Sequence, residues 1–199
     1  MSLKLNLGAG GQQLAGWVSV DIDPTTHPDV VCDIEDLSDL PDCTVDEIFA
    51  SHILEHVPYD SPALSEWYRV LKFGGKCTVI VPDIVQVFFL WRKGGKWGPY
   101  QLPIDEEYFQ ASVYGAHLLK GVPELNFGEV GHTHKQLFIF DMLVQKMLQA
   151  GFDEVHEIAT SDIRPAGIGE TMVEGKKLGS HSGCFSDKPY CLRRGDEGS

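Results

Sequence analysis

"LNLGAGGQQLAGWVSVDID", residues Leu5 to Asp23, packs two short apolar runs close together, the first ending in glycines and the second in aspartates. Leu3–Leu7 and Trp17–Val20 read as the first two strands, and Gln12 to Gly16 leaves room for only a very short helix between them, or none. Further apolar runs at Val30–Cys32, Val45–Ala50 and Lys76–Val81 read as strands three to five. Apolar runs alternating with helical patterns predict an α/β fold, a mostly parallel sheet of about seven strands with helices on both faces.

The clearest helix lies between strands four and five. Asp60 or Ser61 is its expected cap and Pro62 suits its first turn, while Leu64, Trp67, Tyr68 and Leu71 line one face and Gly74-Gly75 stop it. After Val81 the alternation breaks. Residues 82–135 read as an inserted cap with one or two helices, one of them over Asp105–Leu119. Regularity returns with Asp141 as a cap, Leu143, Val144, Met147 and Leu148 as a buried face and Gly151 as terminator. A strand at Val155–Ala159, a turn-rich segment 164–189 and an edge strand at Tyr190–Arg193 complete the reading.

A chain of 199 residues, 43% of them hydrophobic, buries one sizeable core, so residues 1–199 are expected to form one domain. The net charge of −13, from 16 basic against 29 acidic residues, argues against nucleic acid and against an anionic membrane surface. The five cysteines form no C-x-x-C pair, and their odd number favours reduced thiols and a cytoplasmic location. Neither a signal peptide nor a membrane span is visible.

In an open parallel sheet, ligands bind beyond the carboxyl ends of the strands. Those ends carry Gly8-Ala9-Gly10-Gly11, Asp21, Asp33, Ser51-His52 and Pro82-Asp83. Glycines let a ligand approach the backbone, an acid after strand two accepts from both ribose hydroxyls, and an acid after strand three accepts from an exocyclic amine. The set predicts an adenosine-bearing ligand. A dinucleotide fingerprint needs glycine at position 13, where the chain has Gln13, and no phosphate loop of the G-x-x-x-x-G-K-[ST] kind is present.

The motifs "LNLGAG", "VSVDID", "VVCDIEDL", "VDEIFASHILEHV" and "VLKFGGKCTVIVPD", in this order and spacing, resemble class I S-adenosylmethionine-dependent methyltransferases, in the branch that methylates small molecules. The resemblance runs from Leu3 to Asp83 and returns weakly in "FDMLVQKMLQAGF". It implies a Rossmann-like domain with S-adenosyl-L-methionine as cofactor and S-adenosyl-L-homocysteine as product. It also implies a cofactor pocket of Leu7, Gly8, Ala9, Gly10, Asp21, Ile22, Asp33, Ile34, Ser51 and His52. Gly8 and Gly10 would meet the methionine part, Asp21 the ribose, Asp33 and the Ile34 backbone the adenine, and Ser51 and His52 the reaction chamber. Two departures are the short first helix and Gln12, where many members have the last glycine of G-x-G-x-G.

A base is needed only if the acceptor must lose a proton, and histidine suits that role near neutral pH. His52 and His134 are the catalytic candidates, with Asp83 orienting a histidine or binding the acceptor. His56 reads as a helix-start residue that hydrogen-bonds the backbone. His132 and His134 alternate like half a metal site, but no other ligands stand at a recognisable spacing, so no metal is expected. Most aromatics among Trp91, Trp97, Tyr100, Tyr108, Phe109 and Tyr114 read as the cap's own core.

The expected function is methyl transfer to a small-molecule acceptor, through an oxygen nucleophile on a sugar or nucleotide-sugar, with a homodimer left open. The alternatives are a non-catalytic S-adenosylmethionine-binding module, which acts as sensor or partner subunit, and a nicotinamide-dependent oxidoreductase.

Overall fold

A computed structural model describes residues 2–97, 102–103, 105–115, 133–159, 161, 163 and 169–179. In chain order the elements are β1 (Lys4–Leu7), β2 (Val18–Asp21), β3 (Val30–Val31), β4 (Val45–Ser51), α1 (Ala63–Val70) and β5 (Leu71–Pro82). There follow α2 (Ile84–Arg92), a small antiparallel pair β6 (Lys96–Trp97) and β7 (Leu102–Pro103), α3 (Glu106–Tyr114), α4 (Phe140–Gln149), β8 (Asp153–Glu157) and β9 (Glu170–Lys176). The seven-stranded sheet runs β3-β2-β1-β4-β5-β9-β8, and β9 alone is antiparallel to its neighbours. The mostly parallel α/β class expected from the alternation is therefore present.

Register explains the two faces of the sheet. Leu5, Leu7, Ile48, Ala50, Cys77, Val79 and Val173 pair across the strands on one face. All are fully buried, under Leu64 and Trp67 of α1 and Leu143 and Met147 of α4. Burying Trp67 alone contributes about 2–3 kcal/mol, and its indole donates to the Ile34 carbonyl at 2.9 Å. The opposite face carries a row of alternating charge. Lys4 pairs with Glu47 at 2.7 Å, Lys76 with Glu47 at 3.0 Å, and Lys76 with Glu174 at 3.7 Å.

Next to that row, Phe49, Ile80 and Met172 are covered by Leu14, Trp17, Ile158 and Ile163, which all belong to connections. Among the described residues, then, connections rather than helices cover this face, in line with the missing first helix. Between β1 and β2 the chain makes only turns.

Several local expectations are corrected. α1 ends at Val70, because Leu71 turns extended (ψ 137°) and opens β5, so Gly74-Gly75 lie inside a strand rather than after a helix. Its N-cap is Pro62, although the Ser61 hydroxyl does accept from the Ala63 N–H at 3.1 Å. Asp141 does not cap α4. The Phe140 N–H instead donates to Asp83 Oδ2, 3.2 Å away and 57 residues earlier in the chain.

α3 is capped by Asp105 as expected and ends at Tyr114, while residues 116–119 lie outside the described set. The strand expected at Val155–Ala159 begins earlier, at Asp153, and ends at Glu157. Cys43 is disulfide-bonded, which removes the reduced-thiol ground for a cytoplasmic location; Cys32 and Cys77 are free thiols. The strand expected at Tyr190–Arg193 lies outside the described residues. Among the described residues no helix is long and apolar enough to cross a membrane.

Candidate active site

The glycine turn is built on β1 and braced by side chains. Gly8 adopts φ +63° and its Cα abuts Ile53, so that a Cβ there would lie 2.2 Å from Ile53 Cγ1. This close approach, which only glycine allows, sets the β1 turn against the segment that follows β4. Buried Asn6 donates from its amide to the Gln12 carbonyl at 3.0 Å. The Ala9 N–H reaches the Val20 carbonyl at 3.1 Å.

Asp21 is buried at the end of β2, and its two oxygens take different donors. Oδ2 accepts from the Gly10 N–H at 2.8 Å, and Oδ1 accepts from the Asp23 N–H at 2.9 Å. One carboxylate thus fixes the glycine turn and its own following loop, with lone pairs left for further donors. Asp23 is a turn residue that accepts from the Thr25 N–H and hydroxyl. Between the two aspartates Ile22 stands half exposed, a branched apolar side chain. Asp33 is exposed, its Oδ1 accepting from the Glu35 N–H, and Ile34 is buried beneath it.

The second half of the edge centres on His52, directly after β4. It has φ +55°, a left-handed conformation rare outside glycine, and its N–H donates to the Ile80 carbonyl at 2.9 Å. The ring lies between two buried carboxylates, with Nε2 2.7 Å from Glu170 Oε1 and Nδ1 3.4 Å from Glu55 Oε1. Burial works to lower the His52 pKa, but the hydrogen bond to Glu170 and the bond and charge of Glu55 outweigh it and push it up to about 9. Burial likewise opposes ionisation of Glu55, yet His52 and the neighbouring His56 and His134 hold its pKa below the ordinary value.

Two backbone N–H groups, from Lys135 at 2.8 Å and Gln136 at 3.3 Å, tie the segment at 133–136 to the Glu55 carbonyl. They bring His134 next to Glu55, with Nε2 4.0 Å from Oε1. Burial lowers the His134 pKa. Tyr108 of α3 approaches Glu170, and burial together with that charge pushes its phenol upward. The inserted elements therefore deliver Tyr108 and His134 to the edge where His52 stands.

Asp83 serves a different purpose. Its Oδ1 caps α2 by accepting from the Val85 and Gln86 N–H groups at 3.0 Å each, while Oδ2 accepts from Phe140. Both oxygens of this buried residue join helix starts, which accounts for its place without contact to a substrate. Ser51 is half-buried at the end of β4, and His132 lies outside the described residues.

Glu170 was absent from the sequence-based candidates. It sits 118 residues from His52 on a strand that runs against its neighbours, so no local pattern points to it. A cavity of about 180 Å³ behind this edge, lined by Tyr59, Leu64, Gln136 and Lys146 among others, lies away from the glycine turn.

Glycines after β1, an acid after β2 and a polar β4 end on one edge of a sheet ordered β3-β2-β1-β4-β5-β9-β8 agree with the comparison to known proteins. Residues 5–79 match the family described as a methyltransferase domain. Over these residues the chain is similar to that family.

The fold is shared with an Archaeoglobus fulgidus S-adenosylmethionine-dependent methyltransferase, at 15% identity and TM-score 0.58, over 88% of this chain and 86% of that one. A Thermotoga maritima methyltransferase described as a possible histamine N-methyltransferase shares it at 18% identity and TM-score 0.53, over 89% and 82%. So does a Haloferax volcanii structure, a complex containing the Trm112 methyltransferase activator, at 16% identity and TM-score 0.54, over 90% and 83%. No curated protein of known function matches the chain significantly.

The residues present fit the cofactor. A Cβ at Gly10 would meet nothing within 4 Å, so the turn presents open backbone there, Asp21 keeps acceptor capacity toward a diol, and Ile22 offers a half-exposed apolar side chain.

Proposed function

We propose that this methyltransferase domain methylates a small-molecule hydroxyl, on a sugar or nucleotide-sugar acceptor, with His52 and Glu170 as the pair that handles the acceptor's proton. The observation that carries the reading is the 2.7 Å contact between His52 Nε2 and Glu170 Oε1, next to the glycine turn through Ile53. When bound, the cofactor supplies a sulfonium-linked methyl that moves to the acceptor oxygen as the carbon–sulfur bond breaks and its electron pair stays on sulfur.

The chain's own residues do the rest. Asp21 accepts from the ribose hydroxyls, Gly8, Ala9 and Gly10 with Leu7 line the methionine side, and Ile22, Asp33 and Ile34 border the adenine. Ser51 and His52 line the reaction chamber. An acceptor hydroxyl that enters the His52–Glu170 pair as a third member passes its proton to the carboxylate and stays in line with the methyl. Positioning of this kind supplies much of the acceleration for an in-line displacement. Glu55, beneath the ring, keeps the imidazole oriented toward that partner. A polar pair with a neighbouring tyrosine suits a hydroxyl-rich molecule better than an apolar one.

The test is a panel of sugars, nucleotide-sugars, phenols and amines incubated with S-adenosylmethionine, with S-adenosylhomocysteine read by mass spectrometry. Turnover is expected with a hydroxyl acceptor, and His52→Gln is expected to abolish it while S-adenosylhomocysteine binding stays within about twofold, because the ring orients the acceptor and not the cofactor. Turnover confined to amines would overturn the oxygen assignment.

A further inference from the structure

Beside the catalytic edge, Glu55 stands in a cluster with two further histidines, His56 and His134, that take no part in the transfer described above. Glu55 is 1% exposed, and neither of its carboxylate oxygens accepts a hydrogen bond of good geometry. Its close cationic neighbour, His52 Nδ1, lies 3.4 Å from Oε1, and a buried carboxylate held this loosely is costly.

His134 faces it. The Nδ1 of His134 lies 3.0 Å from the Ser112 carbonyl, which can only accept, so Nδ1 carries the hydrogen. In the neutral ring, Nε2 is then a bare lone pair, and Nε2 is the atom 4.0 Å from Glu55 Oε1. Two acceptors that face each other at this distance need something positive between them. A divalent ion of the zinc class binds imidazole nitrogen at about 2.0–2.1 Å and carboxylate oxygen at about 2.0–2.2 Å in tetrahedral geometry, which draws the two ligand atoms together by several tenths of an ångström.

The third member is His56, whose ring stands edge-on to His134 at 4.8 Å between centroids. The ligand atoms of Glu55, His56 and His134 all lie within 4.8 Å of one another. The side chains of Glu55 and His134 are 2% and 5% exposed, so the group is sheltered from competing water. The Ser112 carbonyl fixes the tautomer and tilt of His134, as outer-shell partners of metal-bound histidines do.

We propose that Glu55, His56 and His134 form a binding site for a divalent transition-metal ion of the zinc class, with a fourth position left open. Two imidazoles and one carboxylate, with no thiolate, suit zinc and its neighbours better than magnesium or calcium, which prefer oxygen ligands throughout. The site departs from the sequence expectation of no metal, because its ligands come from the turn at 54–56 and from the far side of the insertion, not from a spaced motif. Its use in catalysis, as a Lewis acid toward the acceptor oxygen, rests on the function proposed above; binding itself does not.

The experiment strips the purified protein with a chelator, dialyses it, and titrates Zn²⁺ against a chromophoric competitor. One ion per chain is expected. His134→Gln should weaken binding by about a hundredfold or more, beyond what loss of an outer-shell partner costs, while His156→Gln, on exposed β8, should leave it unchanged.

Zinc X-ray absorption on the unmodified protein does not depend on a variant folding. It should give a nitrogen and oxygen shell at about 2.0–2.2 Å with imidazole scattering and no sulfur shell near 2.3 Å. A sulfur shell, less than one ion per ten chains, or equal loss in His156→Gln would overturn the site. S-adenosylhomocysteine titration of the same samples separates the two failures, because cofactor binding without zinc sinks the metal site alone.

Discussion

Asp21→Asn is the substitution that separates the two tasks assigned to one carboxylate. Oδ2 accepts from the Gly10 N–H at 2.8 Å and Oδ1 from the Asp23 N–H at 2.9 Å. Asparagine has the same shape but only one oxygen, so either amide orientation sets an NH₂ against a backbone N–H. The loss of one charge-assisted bond, with a shielded donor left unpaired, costs about 2–4 kcal/mol. For a domain of this size that is a fall in Tm of roughly 4–16 °C, measurable without ligand by circular dichroism.

The ribose diol also loses one of its acceptors, which weakens S-adenosylhomocysteine by about 10–100-fold, equivalent to the roughly 1.5–3 kcal/mol of a hydrogen bond to a charged group. Calorimetric titration at a temperature where both proteins remain folded isolates this term. A variant with unchanged Tm would refute the bracing role. One with unchanged affinity, though destabilised, would refute the ribose contact.

Two further outcomes follow from the same geometry. Gly8→Ala places a Cβ 2.2 Å from Ile53 Cγ1 at φ +63°, so overpacking and a left-handed alanine together should cost about 2–5 kcal/mol in urea unfolding; Ile53→Ala in the same chain should restore part of it, and strict additivity would show that the contact is not the cause. Trp67→Phe leaves the Ile34 carbonyl without its 2.9 Å donor and a void in the core, for an expected loss of about 1–3 kcal/mol, with a wild-type unfolding midpoint as the contrary result.

The strand ends were legible because each is an apolar run of four or more residues, or a short one, followed by a residue that cannot continue it. Gly8, Asp21, Asp33 and His52 fall on one edge for that reason, and the sheet order brings them together. The missing first helix was legible from spacing alone. What was not legible is action at a distance.

The α4 start is capped by Asp83, from 57 residues earlier, whereas the local sequence offers only Asp141. Glu170 pairs with His52 only because β9 inserts antiparallel between β5 and β8, and a single chain carries no local sign of that insertion. Leu71 matched the helical face of α1, but its backbone is extended because β5 must begin there to pair Leu71 with Val45. Tertiary pairing overrode a correct period.

The absence of a helix after β1 changes how the cofactor turn is held. In a doubly wound domain, the helix that follows the first strand fixes the glycine turn and offers free N–H groups and a positive dipole end to an anionic group. Here the N–H groups of Ala9, Gly10 and Gln12 are spent on Val20, Asp21 and Ala9, and Asn6 reaches across to the Gln12 carbonyl. The turn is therefore held by side chains from the strands beneath it, Asn6 and Asp21, both buried. Its shape depends on the same carboxylate that is proposed to face the ribose, so that proposal couples binding and folding of this region through one residue. A helix-fixed turn would let the ribose acid change with little effect on the fold. This one does not, and the charged row on the sheet face that lacks helical cover, Lys4–Glu47–Lys76–Glu174, is the matching adaptation: its members satisfy one another where a helix would otherwise have to be apolar.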